Sequence, residues 1–442
     1  MTDIVNVLAG IAANDSLDVL RDHRPQAKEN AQLSFEALLE PSDPAGVTYR
    51  ERYAVAAFTA GLLGAPAAEE FYRDLLRDED ESASWVVAEL LDESIASADS
   101  ETGFGVGVQG PYGIFESESL AEENLPGPWF TATAASAETL GEKLVAGLEF
   151  AHLLVLHPRD CGPEHLALLL AAGWDEDGIV TLAQLVSFLN FQIRVSTGLA
   201  ALAATAPSDP AVPEPLAATT VESASESEGT ASARAERALA EFGHRVSTYP
   251  DLARPELFQQ SGLGWVPWIA PVAEAELTGT QREALIEAGR AKNPYFRLLA
   301  RDPDALRART LTDLDIFFNT TDGLGRAERE LAATAASRLN GCLFCASVHS
   351  ERATEESGRR DLVQRLLDEG IGTRLGDSVW DAVVDASVAL TVTPPAFGPS
   401  HLSALREAGL GDGDIVDVLG SAAFFNWANR LMLSLGEPEA LN

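Results

Sequence analysis

A chain of 442 residues is too long for one ordinary core, and with 46% apolar residues it can bury substantial cores, so two domains are the starting expectation. No run of about eighteen apolar residues appears, which argues against a membrane span. The formal charge is −37 with only three lysines, Lys28, Lys143 and Lys292; so acidic a surface repels nucleic acid and anionic membrane, and otherwise speaks to solubility rather than to a function.

Met1-Thr-Asp-Ile-Val-Asn6 has no basic region followed by an apolar run. It does not read as a secretory signal, and a cytoplasmic location is the default. Beyond it the pattern is helical almost everywhere and period-2 alternation is scarce, which predicts an all-α fold. Thr48-Tyr-Arg-Glu51 is a capping box that opens a helix. The stretch 102–130, with Gly103-Phe-Gly-Val-Gly-Val-Gln-Gly110 and Pro111, favours a loop or a short hairpin. From Thr205 to about Ala235 the chain is dense in Ala, Ser, Glu, Thr and Pro, a composition that cannot bury a core. The division that follows is a first domain over 1–204, a linker over 205–245 and a second domain over 246–442. In the second domain Thr280-Gln-Arg-Glu283 is again a capping box. Arg326–Asn340 is rich in Ala, Leu, Glu and Arg, and Gly341 is placed to end it as a left-handed cap.

The halves resemble each other. Gly162-Pro-Glu-His165 recurs as Gly398-Pro-Ser-His401, an offset of 236 (398 − 162). The same offset pairs Gly173 with Gly409, Ile179-Val180 with Ile415-Val416, Phe188 with Phe424, Asn190 with Asn426 and Arg194 with Arg430. Upstream the offset is 277, pairing Arg50-Glu51-Arg52 with Ala327-Glu328-Arg329 and Gly64 with Gly341. The first half therefore carries about 41 extra residues (277 − 236), and the pattern is that of a tandem duplication of one helical module.

The chemistry sits in one half only. Of the three cysteines, Cys161 stands alone, while Cys342-Leu-Phe-Cys345 is a C-x-x-C pair that points to redox chemistry or metal binding. The pair follows the helix break at Gly341, so Cys345 falls in the first turn of the next helix. Free amides and the positive end of the dipole there favour thiolate, and a lowered cysteine pKa is expected. His349 lies four residues on, on the same face, where it can exchange a proton with Cys345 directly or through one water. Glu330 cannot reach the cysteines along its own helix, but an antiparallel helix pair would bring His349 back to it. On the 277 offset Glu330, Cys342, Cys345 and His349 face Tyr53, Ala65, Ala68 and Tyr72, so the first half lacks all four groups. Zinc is a minor reading, since a closed site wants four ligands and no second pair exists. Two inert, buried thiols are another, and Glu330 could be a surface residue of an Arg/Glu-rich helix. Cys161 reads as a core or loop thiol, and His152 and His157 as core or cap residues. His165 and His401 read as helix openers, and Asn190/Arg194 and Asn426/Arg430 as packing or assembly pairs.

The segment Arg326-Ala-Glu-Arg-Glu330 through Gly341-Cys-Leu-Phe-Cys-Ala-Ser-Val-His349 resembles the alkylhydroperoxidase family related to carboxymuconolactone decarboxylases, in its peroxidase-related branch. Asn293-Pro-Tyr-Phe-Arg297 and Phe424-Phe-Asn-Trp-Ala-Asn-Arg430 extend the likeness over about 278–436, and the N-terminal half looks like a diverged companion domain. The resemblance implies two alkylhydroperoxidase-like helical domains joined by a linker, and assembly into trimers or larger rings. It implies a thiol-dependent hydroperoxide reductase served by a thiol or dithiol reductant; no cofactor or metal is expected with it, and the acidic charge speaks against nucleic acid and membrane as partners. Cys345 would be the peroxidatic thiolate, Cys342 the resolving thiol, and His349 with Glu330 the proton relay. Some members place a histidine between the cysteines; here Phe344 stands there, which removes one polar group. Two other expectations stand beside this one: a redox-sensing or scaffolding protein without efficient turnover, and a non-redox lyase using Glu330 and His349.

Overall fold

Helix boundaries fall where capping residues put them. In the computed structural model, which describes residues 3–96, 110–204 and 228–441, the Thr48 hydroxyl accepts from the Glu51 amide and the Glu51 carboxylate accepts from the Thr48 amide, opening Tyr49–Leu62. The second box lies two residues earlier than expected. Thr278 and Gln281, not Thr280 and Glu283, cap each other's backbone, because Thr278-Gly-Thr-Gln281 fits the same pattern and its glutamine reaches the Thr278 amide. His165 and His401 each take the backbone N–H of the preceding glycine, Gly162 or Gly398, on Nδ1 and so open their helices.

The described chain is almost entirely α-helical, with one antiparallel pair of four-residue strands, Gly264–Pro267 and Gly436–Glu439. The glycine-rich stretch up to Gln109 and the first part of the linker, to residue 227, lie outside the described residues. The rest of the linker is not extended: Glu228–Phe242 is a helix, consistent with its Ala, Glu and Arg content. It rests on the helix Pro163–Ala171 and ties Arg234 to Glu149 at 2.9 Å.

Helices of the first half recur in order in the second. The hairpin Tyr49–Leu62 and Pro66–Glu79 matches Arg326–Asn340 and Leu343–Ser357 at 277 (343 − 66). Glu142–Leu156, Pro163–Ala171 and Glu176–Ala204 match Ser378–Thr391, Pro399–Glu407 and Asp412–Ser434 at 236 (399 − 163). Between these sets the first half inserts an irregular segment. Its described part bridges Gly110 to Thr393 and Gly113 to Leu125.

The halves share one apolar core, and no boundary divides them among the described residues. The long helices Glu176–Ala204 and Asp412–Ser434 pack together, with Phe191 stacked on Trp427 at 5.5 Å. Glu176–Ala204 is long and apolar enough to cross a membrane, but 94% of its apolar window is buried in this protein. Each long helix also reaches into the opposite half. Arg194 donates to the Thr391 carbonyl and the Thr393 hydroxyl, at 3.1 and 2.8 Å. Arg430 donates to the Leu154 and Val155 carbonyls at 2.9 and 3.0 Å. Thr391 and Val155 stand 236 apart (391 − 155), so the two exchanges are near mirror images. Both guanidiniums are fully buried, and each is steadied by its own Asn190 or Asn426 one turn back.

Candidate active site

The glutamate helix Arg326–Asn340 ends at Gly341, whose φ of 77° and ψ of 17° lie in the left-handed region that favours glycine. One residue later the cysteine helix Leu343–Ser357 begins, with Cys342 at its N-cap and Cys345 in its first turn. The two helices fold back on one another, and this brings together groups 19 residues apart: the Glu330 carboxylate lies 2.5 Å from His349 Nδ1. A carboxylate only accepts, so Nδ1 carries the proton and Nε2 becomes the exchangeable position. Nε2 makes no hydrogen bond within the described chain. Glu330 has no exposed surface, so it is not the surface residue that its Arg/Glu-rich surroundings allowed. Burial pushes its carboxyl up, but the charge and hydrogen bond of His349, with Arg352 and Arg326, hold it net below its ordinary value. The His349 ring is walled by Phe425, 4.0 Å between centroids, and by Phe317 at 5.6 Å.

The two thiols are free, buried and near disulfide distance, and they differ in what they face. Cys345, with His349, lines a cavity of about 510 Å³. Cys342 is not among its lining residues. Burial pushes the Cys342 thiol well above its ordinary range, and the hydrogen bond and charge of Cys345 add to this against a weaker opposing bond from Asn429. Behind the pair, Asn429 is fixed by Asn340 and by Ser337, each at 3.0 Å.

The rest of the cavity wall comes from elements without a sequence motif. Trp265 projects from the strand pair, Arg309 and Asp313 from the helix Pro303–Phe318, and Arg352 from the cysteine helix. Tyr295, Phe424 and Phe425, from the two segments that extended the family likeness, line it as well. Burial raises the Asp313 carboxyl, against the charges of Arg309, His349, Arg290 and Arg352. Arg309 itself has no signal in the sequence, being one arginine among many. In the first half the corresponding hairpin carries no thiol. Its Tyr72 is fully buried and gives its hydroxyl proton to Gln192. His152 and His157 are buried, the latter held by Asp160 at 3.0 Å and the Pro128 carbonyl at 2.8 Å, and neither approaches the cavity wall. Among the described residues no cluster of three or more His, Cys, Asp or Glu is arranged to hold a metal.

A helical hairpin carrying two adjacent thiols and a His–Glu pair at a cavity defines a class of thiol-bearing, all-α protein. Residues 303–386 match the carboxymuconolactone decarboxylase family, a segment that runs from the helix of Arg309 through the glutamate and cysteine helices into Ser378–Thr391. No curated protein and no solved structure matches the chain. Family match and cysteine pair together support an oxidoreductase-like role at the level of the superfamily.

Proposed function

We propose that the protein is a thiol-dependent hydroperoxide reductase. The observation that carries this reading is the asymmetry of the pair: Cys345 faces the cavity beside His349, while Cys342 lies behind it as a protonated thiol. His349 Nε2, oriented by Glu330, takes the Cys345 proton, directly or through one water. The thiolate attacks the terminal oxygen of the hydroperoxide. An S–O bond forms, the O–O bond breaks, and the alkoxide leaves as alcohol with the proton held by His349. Cys345 is then a sulfenic acid, oxidised by two electrons. The Cys342 sulfur attacks it, S–S replaces S–O, and the hydroxyl departs as water with the Cys342 proton. A thiol or dithiol reductant returns two electrons and two protons and restores both thiols. The chain is on this reading two copies of one helical module, of which the first has lost its chemistry. The recurring helix bounds and the exchanged arginines support this. The test is to mix reduced protein with an organic hydroperoxide and follow thiol loss. Consumption unchanged by Cys345→Ser would sink the proposal.

The matched family's name favours a second reading, a non-redox lyase in which Glu330 and His349 alone move protons. It predicts that activity survives replacement of both cysteines.

A further inference from the structure

The cavity wall reverses the charge balance of the chain. The protein has 68 acidic residues against 31 basic ones, yet Lys292, Arg309 and Arg352 line the cavity against one carboxylate, Asp313. The other two lysines are neutralised: Lys28 sits on Asp18 and Asp22, and Lys143 on Glu51. Among the described residues none of the three cavity cations makes an ion pair or a side-chain hydrogen bond.

Two of the buried lining groups are also incompletely bonded. Arg309 is 4% exposed and lies over the rings of Tyr295, Phe424 and Trp427, at 5.7, 5.1 and 6.0 Å, with its Nε lacking a partner. The Tyr295 hydroxyl, on a side chain 7% exposed, also has none. A buried donor without an acceptor is a standing cost that native proteins seldom leave in place. Here both donors border the same space, and what would satisfy them is an acceptor brought in by a ligand. Much of the remaining wall is apolar, with Trp265, Phe344, Phe425 and Met432, beside the polar Asn293 and the Cys345–His349 pair. At about 510 Å³ the cavity is in the range that encloses a small organic molecule.

We propose that this cavity takes an amphipathic ligand, an oxyanion head on an apolar chain, and that the substrate of the peroxidase reaction is a hydroperoxide of that class. Only the second clause rests on the function proposed above. The guanidiniums of Arg309 and Arg352 and the Lys292 ammonium hold the head, and the aromatic wall holds the chain. An acidic surface repels such a ligand at long range, so the local cations decide whether it stays.

The experiment is calorimetric titration of the reduced full-length protein with decanoate, decyl phosphate and decan-1-ol, repeated on Cys345→Ser and on Lys292→Gln/Arg352→Gln. Either anion should bind at least tenfold more tightly than the alcohol, and the tighter of the two identifies the head. The double variant should erase that preference while retaining the native circular dichroism; Arg352→Gln alone should reduce it if the double variant does not fold. Equal binding of all three probes, or binding of none, overturns the inference. Turnover supplies the second arm: a fatty-acid hydroperoxide should show kcat/KM at least tenfold above that of its methyl ester. If no hydroperoxide is consumed but decanoate still outbinds decanol, the peroxidase reading falls and the ligand class stands. If both hydroperoxides are consumed alike and the probes bind alike, the reverse holds.

Discussion

Replacing Glu330 by Gln removes one charge from the centre of the site and almost no volume. In the native protein the carboxylate is fully buried, 2.5 Å from His349 Nδ1 and 3.2 Å from Arg326 Nε. Hydrogen bonds to charged groups are worth about 1.5–3 kcal/mol. At about 1.4 kcal/mol per tenfold, losing the charge while keeping a neutral acceptor lowers the rate of Cys345 oxidation roughly 10- to 150-fold. Glutamine can also offer its amide to Nδ1 and so select the wrong tautomer, which acts in the same direction. The assay is single-turnover thiol loss with an organic hydroperoxide at several pH values, with Glu330→Asp as the variant that keeps the charge. The Gln variant should lose rate with little change in KM, and the Asp variant should recover part of it. A Gln variant with native rate and native pH profile would remove Glu330 from the relay and leave His349 without an orienting partner.

Other outcomes follow from the same geometry. The Glu330 carboxyl is held below its ordinary 4.5 in the folded state, so the stability it contributes is present above about pH 4.5 and is lost as pH falls through the lower folded value; urea titrations should show this acid-side decline in the native protein and a shallower one in Glu330→Gln. The Cys342 thiol, raised above its ordinary 9.0 chiefly by burial, should react slowly with iodoacetamide below pH 9 in folded Cys345→Ser, and at the ordinary thiol rate once the chain is unfolded in urea. Cys342→Ser should still lose its Cys345 thiol to one equivalent of peroxide but accumulate sulfenic acid, detectable by dimedone trapping, instead of a disulfide. Arg430→Leu leaves the Leu154 and Val155 carbonyls without donors and should cost about 3–5 kcal/mol by denaturant titration, with Arg194→Leu costing a similar amount; losses under about 1 kcal/mol for both would show that the exchanged arginines do not hold the halves together.

The parts of this structure that can be read from sequence are those whose signals are local. A capping box, a glycine at a helix end and a C-x-x-C after it each act within a few residues, and they are enough to draw the Arg326–Asn340 and Leu343–Ser357 hairpin. The pairing of Glu330 with His349 needs only the added premise that the hairpin closes. Thr280 competes with Thr278 for the same capping pattern, and the two boxes differ only in what the backbone can reach, so the cap falls two residues from its expected place. The helix Glu228–Phe242 is hidden in a linker composition because its alanines and glutamates serve either state until a neighbouring helix decides. Trp265, Arg309, Asp313 and Arg352 have no signal of their own: their place at the cavity depends on tertiary packing, and an arginine that will lie unpaired reads the same as one that will not. The scarcity of lysine is the one clue in composition, since Lys292 is the lysine with no carboxylate partner among the described residues.

The first half bears on the geometry of the candidate site through direct contacts. Its Leu154 and Val155 carbonyls receive Arg430, a fully buried charge on the helix whose Phe424, Phe425 and Ala428 wall the cavity. Its inserted segment packs on the cysteine hairpin, with Phe115 against Gly341 and Glu123 paired to Arg338 at 2.5 Å, and Arg159, from the turn after Glu142–Leu156, also lies against Gly341. A buried guanidinium without acceptors is among the costliest groups a core can hold. Losing the first half would therefore strip the hydrogen-bond acceptors from Arg430 and the support from the turn that sets Cys342 and Cys345.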